Sequence, residues 1–273
     1  MHTAVVFYFS GTGNTWWVAD RIIRQLDASN INASAVSIDT LTPKKADWWI
    51  KTADLVLFGW PVYGSDLPEP VKRFIDTLPV NDKGKHVHLF CTQMGFSGDG
   101  AWTAHKRLKA KGLIADTAEH FTMPSNKSMV KGFFGTPDEK SVRRILAKAE
   151  AQVRDYIERL LLSKAQIKGR HSALLGFLQR GPARLYRGRA QKRVGVDASR
   201  CTRCGLCESL CPIHNITIKT VPEFAGRCAQ CLRCYSFCPS HAITFDGRSR
   251  DVQKDGKPYT VPDKHFKPSL LVK

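Results

Sequence analysis

Eight cysteines near the C-terminus fall into one pattern written twice. It reads Cys201-x2-Cys204-x2-Cys207-x3-Cys211-Pro212, then Cys228-x2-Cys231-x2-Cys234-x3-Cys238-Pro239. Three thiolates so close together suit the irons of one [4Fe–4S] cubane. The fourth, one short helix further on, suits a neighbouring cluster. We therefore expect Cys201, Cys204, Cys207 and Cys238 to share one cluster, and Cys228, Cys231, Cys234 and Cys211 the second. A pair of zinc sites has no use for a third cysteine at this spacing, or for the repeated Cys-Pro ending. A disulfide framework would need an oxidising compartment. His214 and His241 each follow a Cys-Pro pair. With all eight thiols present, both read as surface residues near the clusters. The ninth cysteine, Cys91, follows the apolar run Val87-His88-Leu89-Phe90 and reads as a buried strand-end thiol.

The cysteine-bearing segment, residues 194–246, is too small to be held by hydrophobic burial alone, so the clusters are expected to supply much of its folding energy. The 273-residue chain leaves room for one α/β core before it. No signal peptide is visible, and no apolar stretch is long enough to span a bilayer. A strand-like run, Thr3 to Phe9, begins almost at Met1. Eight clustered thiols then point to a reducing cytoplasm, with the membrane periphery as the other location. The formal net charge is +18, which bears on partners.

Directly after the first strand comes Ser10-Gly11-Thr12-Gly13-Asn14-Thr15, then a helical stretch from Trp16 to Leu26. Strand, glycine-rich turn and helix together bind phosphate, because backbone N–H groups of the turn and helix N-terminus point at the anion. The hydroxyls of Ser10, Thr12 and Thr15 and the amide of Asn14 can add to them. The turn lacks the third glycine of a dinucleotide fingerprint and the Lys-Ser/Thr close of a P-loop. A terminal phosphate monoester fits, and FMN carries one. Two more loops follow buried strands. One is Trp60-Pro61-Val62-Tyr63-Gly64. The other is Thr92-Gln93-Met94-Gly95-Phe96-Ser97-Gly98-Asp99-Gly100. In an open parallel sheet, ligands bind outside the strand carboxyl ends. Both loops carry aromatics suited to a flat ring.

These motifs resemble a flavodoxin fused to a two-cluster bacterial ferredoxin, the flavodoxin–ferredoxin fusion proteins of anaerobic bacteria and archaea. The resemblance runs through Ser10–Thr15, Pro61-Val62-Tyr63-Gly64, Met123-Pro124-Ser125-Asn126 and Cys211-Pro212-Ile213-His214-Asn215-Ile216. It implies an α/β flavodoxin-like, doubly wound parallel sheet of order 2-1-3-4-5, followed by a small α+β bacterial ferredoxin-like domain. It also implies FMN between the three loops, with Tyr63 or Trp60 against the isoalloxazine, and one-electron exchange between FMN and the clusters. Two departures stand out. Ser97-Gly98-Asp99-Gly100 replaces the acidic, aromatic loop of flavodoxins, and ordinary flavodoxins and ferredoxins are acidic.

The expected organisation is an FMN-binding domain over 1–163, a basic helical linker over 164–193, the ferredoxin domain over 194–246, and an extended tail over 247–273. The last sheet strand is expected at Gly112 to Met123, a loop able to cover the flavin at Pro124 to Pro137, and a closing helix at Asp138 to Leu162. The linker contains Lys164, Lys168, Arg170, Arg180, Arg184, Arg187, Arg189, Lys192 and Arg193 and no acidic residue. Leu174, Phe177, Leu178 and Leu185 keep rough helical spacing, broken by Gly181-Pro182. Three readings of it stand open. It is a helix packed on both domains by that stripe, a docking surface for an acidic redox protein, or an interfacial anchor on an anionic membrane surface. No recognised nucleic-acid motif accompanies the charge. The functional reading is an intracellular electron-transfer protein with FMN and two [4Fe–4S] clusters. The rival is an FMN-dependent reductase of a small molecule, with Asp99 and Gln93 as the nearest acid candidates. A third is a basic, membrane- or polyanion-associated redox module.

Overall fold

The computed structural model describes residues 2–128, 135–164, 166–191 and 193–272, without the side chains of Tyr186, Arg187 and residues 189–191. The first unit alternates strand and helix. It contains β1 (Thr3–Tyr8), α1 (Asn14–Ala28), β2 (Asn32–Ser37), α2 (Pro43–Thr52), β3 (Leu55–Pro61) and α3 (Glu69–Thr77). These are followed by β4 (Lys85–Gln93), α4 (His105–Lys109), β5 (Leu113–Thr122) and α5 (Glu139–Leu161). All five strands are parallel in the order β2-β1-β3-β4-β5. β1 is apolar almost throughout because it is covered on both faces. On one face lie α1 and α5, through Trp17, Val18, Ile22, Val153, Tyr156 and Ile157. On the other lie α2, α3 and α4, through Ile50, Val71, Ile75 and Leu108. Asp138 caps α5 by accepting from the Ser141 N–H at 2.7 Å. Of the expected flavin-covering loop, residues 129–134 lie outside the described residues.

The second unit is small. β6 (Val194–Val196) pairs antiparallel with β9 (Ile243–Phe245), and β7 (Ile216–Ile218) with β8 (Pro222–Phe224). Two short helices, α7 (Leu206–Ser209) and α8 (Arg233–Phe237), lie between. Its own apolar cluster is built on Val194, Tyr235 and Ile243, with cysteines packed around them. The repeat in sequence is a repeat in backbone. Arg203 and Gln230, Gly205 and Leu232, and His214 and His241 occupy matching positions, and all have positive φ. Each turn is thereby bent tightly around its thiols.

Two segments add detail to the expected helical linker and extended tail. The linker forms the expected helix, α6 (Ala173–Gln191), but without the expected break, since it runs through Gly181 and Pro182. The tail carries a short helix, α9 (Val252–Asp255), and then returns to the first unit. There Leu271 is fully buried, and its carbonyl accepts from Ser37 Oγ at 3.0 Å.

Candidate cofactor sites

The glycine-rich turn leaves β1 and enters α1 with Gly13 at φ 103°, a left-handed conformation that favours glycine. No side chain caps α1 there, so its first-turn donors have no intrahelical partner. Ser10 Oγ is buried and has no hydrogen-bond partner among the described residues. A group with acceptors is what such a cradle lacks, which fits a phosphate. The other loop side chains are braced. Asn126 Nδ2 donates to Thr12 Oγ1 at 3.1 Å, which leaves the Thr12 hydroxyl proton free to point elsewhere. Thr15 Oγ1 shares a hydrogen bond with Thr92 Oγ1 at 2.8 Å. Asn14 donates to the Pro124 carbonyl and accepts from Tyr259 Oη at 2.7 Å. Truncating Thr12 to Ala is expected to weaken FMN by about tenfold or more and riboflavin much less, since a hydrogen bond to a charged group contributes about 1.5–3 kcal/mol. Titrations of the apoprotein with each flavin check this, and equal losses would detach the loop from the phosphate.

The tail closes this loop from outside. Val261 N–H donates to the Thr12 carbonyl at 3.0 Å. A side chain at Gly13 would collide with Val261 and would stand 3.0 Å from Phe266.

The second and third loops divide differently from the expectation. Tyr63 Oη stands 3.0 Å from where a Cβ on Gly11 would be, so Tyr63 faces the phosphate loop. Trp60 is 1% exposed and lies in the core on the α2–α4 side, among Phe58, Leu67 and Val71. Pro61 and Val62 are half-buried, and Gly64 is exposed at a turn closed by Tyr63 and Asp66. In the third loop Met94, Gly95 and Phe96 are exposed, while Gly98 and Asp99 are buried. Ser97 Oγ donates to Gln93 Oε1. Asp99 accepts from Arg180 Nη1 of α6, at 2.6 and 2.8 Å to its two oxygens.

The cysteines surround two cavities. One is lined by Cys201, Cys204, Cys207 and Cys238, the other by Cys211, Cys228, Cys231 and Cys234. Each set takes its fourth thiol from the other half of the repeat. Among the described residues no three His, Cys, Asp or Glu side chains converge on one point where a single ion would sit. Thiols arranged around a space, rather than converging on a point, fit a cluster. Backbone N–H groups already donate to sulfur: Asn215 to Cys211 at 3.2 Å, Gln230 to Cys228 at 3.3 Å, and Ala242 to Cys238 at 3.3 Å. Burial pushes the thiols up, Cys231 to about 12 against the lowering pull of the Arg233 guanidinium, and Cys207 to about 11. A bound cation reverses that logic, because coordination deprotonates a thiol outright. Cys91 is fully buried in β4 and lines neither cavity.

The two sites meet. A Cβ at Gly11 would lie 2.5 Å from the Cys231 carbonyl oxygen, so glycine there lets the second cavity's wall touch the phosphate loop. Two residues on, Arg233 is completely buried. Its Nε and Nη2 donate to the Ser10 carbonyl at 3.0 and 2.8 Å, its Nη1 to the Leu210 carbonyl at 3.3 Å, and its Nη2 to Asp39 at 2.5 Å. The sequence reading missed Arg233 and Asp39. The available signal was a cation inside the Cys231–Cys234 spacing, where a solvated charge is out of place.

Residues 5–123 match the flavodoxin domain family model, and residues 194–217 match the 4Fe-4S binding domain model. The chain therefore joins a flavodoxin domain to a 4Fe–4S domain of ferredoxin type. It is a flavodoxin–ferredoxin fusion. The flavodoxin domain implies FMN, and the 4Fe–4S motif implies a cluster. Among solved structures, it is similar to a flavodoxin from the domain Archaea, at 18% identity over 57% of this chain and 99% of that one, with TM-score 0.38. Megasphaera elsdenii flavodoxin gives 24% identity over 55% and 98%, with TM-score 0.37. The rubredoxin:oxygen oxidoreductase of Desulfovibrio gigas gives 15% over 59% and 37%, with TM-score 0.39. No curated protein matches.

Proposed function

We propose that this chain relays electrons between FMN and two [4Fe–4S] clusters, and so couples two-electron to one-electron partners. The observation that carries the reading is the approach of the Cys231 backbone to Gly11 of the phosphate loop. Bound FMN accepts one or two electrons and a cubane one, so a chain holding both can split a pair or gather one.

The residues support an order. Cys211, Cys228, Cys231 and Cys234 form the inner set, walled off from water where Cys231 meets the first unit. Cys201, Cys204, Cys207 and Cys238 form the outer set, with Cys204 exposed. Exposed Arg203 beside Cys204 suits docking of an acidic one-electron carrier. The linker arginines suit that role less well. Arg180 is committed to Asp99, and Arg184 lies 3.5 Å from Asp66. The same pairing weighs against a small-molecule reductase, because it occupies Asp99, and Ser97 occupies Gln93.

Anaerobic reconstitution followed by iron and flavin analysis tests the reading. Roughly eight irons and one FMN per chain are expected, since each cubane holds four. About four irons with full FMN would remove the second cluster from the account.

A further inference from the structure

The apolar stripe of α6 does not pack on either unit. Leu174, Leu175, Phe177, Leu178 and Leu185 are 71%, 52%, 67%, 59% and 72% exposed. At 3.6 residues per turn, Leu174, Leu178 and Leu185 fall on one line, flanked by Leu175 and Phe177. The opposite side of the helix is what touches the first unit. Gly176 is buried so tightly that a Cβ there would collide with Asp99, and a Cβ on Gly98 would collide with Gly176. Half-buried Ala183 and inward-turned Arg180 lie on that same side. The helix is thus docked through small and polar residues and shows its leucines outward, the reverse of an ordinary surface helix. A contiguous exposed apolar face of this kind marks an interaction site.

Charge selects the partner. From Lys164 to Val196 the chain has no acidic residue. Lys164, Arg170 and Arg184 are exposed in this segment, and Arg184 keeps 64% of its side chain exposed despite its long pairing with Asp66, which leaves it able to reach a phosphate. Cations flanking an apolar helical face match a surface that is anionic at headgroup depth and apolar beneath. Among the described residues no helix is long and apolar enough to cross a membrane. We propose that α6 lies along an anionic lipid bilayer, with Leu174, Phe177, Leu178 and Leu185 among the upper acyl chains and Arg170 and Arg184 at the phosphates. Because α6 rests on Gly98 and Asp99, this turns the third flavodoxin loop, with exposed Phe96, toward the membrane.

Vesicle flotation of the full-length, reconstituted protein tests the proposal. Two vesicle types are used, phosphatidylcholine alone and phosphatidylcholine mixed with phosphatidylglycerol. Native protein is expected to float with the mixture and not with phosphatidylcholine alone. The exposed double substitution Phe177→Ser/Leu178→Ser is expected to lower partitioning by about tenfold with iron and flavin content unchanged. If that variant loses its cofactors, Leu185→Ser at the far end of the stripe carries the test, with a loss of roughly threefold. Absence of flotation overturns the proposal. So does equal flotation of native and variant proteins, which would mean charge alone. Sedimentation of the native protein as a dimer that the substitutions dissociate would also overturn it, placing a second copy on this face.

Discussion

Cys238→Ala is expected to empty the cavity it shares with Cys201, Cys204 and Cys207, although it lies beside Cys234 in sequence. Cys211→Ala is expected to spare that cavity and empty the one lined by Cys228, Cys231 and Cys234. Each variant should lose about half its iron and one of two spin-resonance signals of the reduced protein. The physical reason is the crossing of the repeat, in which each half contributes three thiols to its own cavity and one to the other. The effect extends to folding. The unit's own core rests on Val194, Tyr235 and Ile243, too little to hold it without metal. Proteolysis of the cysteine-bearing unit should therefore quicken in both variants. Loss confined to the cluster nearest in sequence would refute the crossed assignment.

Arg233→Leu is expected to be the most damaging single change outside the cysteines. It leaves the Asp39 carboxylate buried without its cation and removes two donors from the Ser10 carbonyl. Breaking a buried pair by removing one partner costs about 3–5 kcal/mol. The pair is not a large net stabiliser. Burial raises the Asp39 carboxyl above its ordinary range, outweighing the neighbouring guanidinium. Its role is registry: it bonds the phosphate loop, β2's exit and α8 at one point. The double variant Arg233→Leu/Asp39→Leu should accordingly recover more than half of the lost stability. Denaturant unfolding of the two variants and the native protein measures this. A double variant as unstable as the single one would mean that the contacts to Ser10 and Leu210 matter more than the charge.

The features legible in the sequence are those whose physics is local. The cysteine spacings reflect ligand geometry along a few residues. The Ser10–Thr15 turn lies between an uninterrupted β-branched and aromatic strand and a helix, so the loop's position followed from pattern, while the strand order was implied by the resemblance these motifs carry. What was not legible depends on which surface meets which. Helical spacing in Leu174, Phe177, Leu178 and Leu185 shows that a stripe exists, but not that Gly176 and Ala183 make the contact instead. Trp60 looked like a stacking residue because the sequence places it at the start of a loop after a buried strand, but it lies within β3 and strand alternation turns it into the core. Arg180 looked available because its own segment holds no acid. Its partner, Asp99, is supplied by a loop 81 residues away. Arg233 and Asp39 are 194 residues apart, and no pattern in either segment announces the other.

The central claim is that the inner thiol set stands between the phosphate loop and the outer one. Its most direct test is anaerobic stopped-flow reduction by an acidic ferredoxin, followed at the flavin absorbance, in native protein and in Cys228→Ala. Cys228 is chosen because Cys231 itself touches Gly11. The variant's FMN content and remaining cluster are confirmed beforehand. The expected result is fast flavin reduction in the native protein and loss of that phase in the variant, with the outer cluster still reduced by the ferredoxin. Flavin reduction at the native rate without the inner cluster would contradict the account.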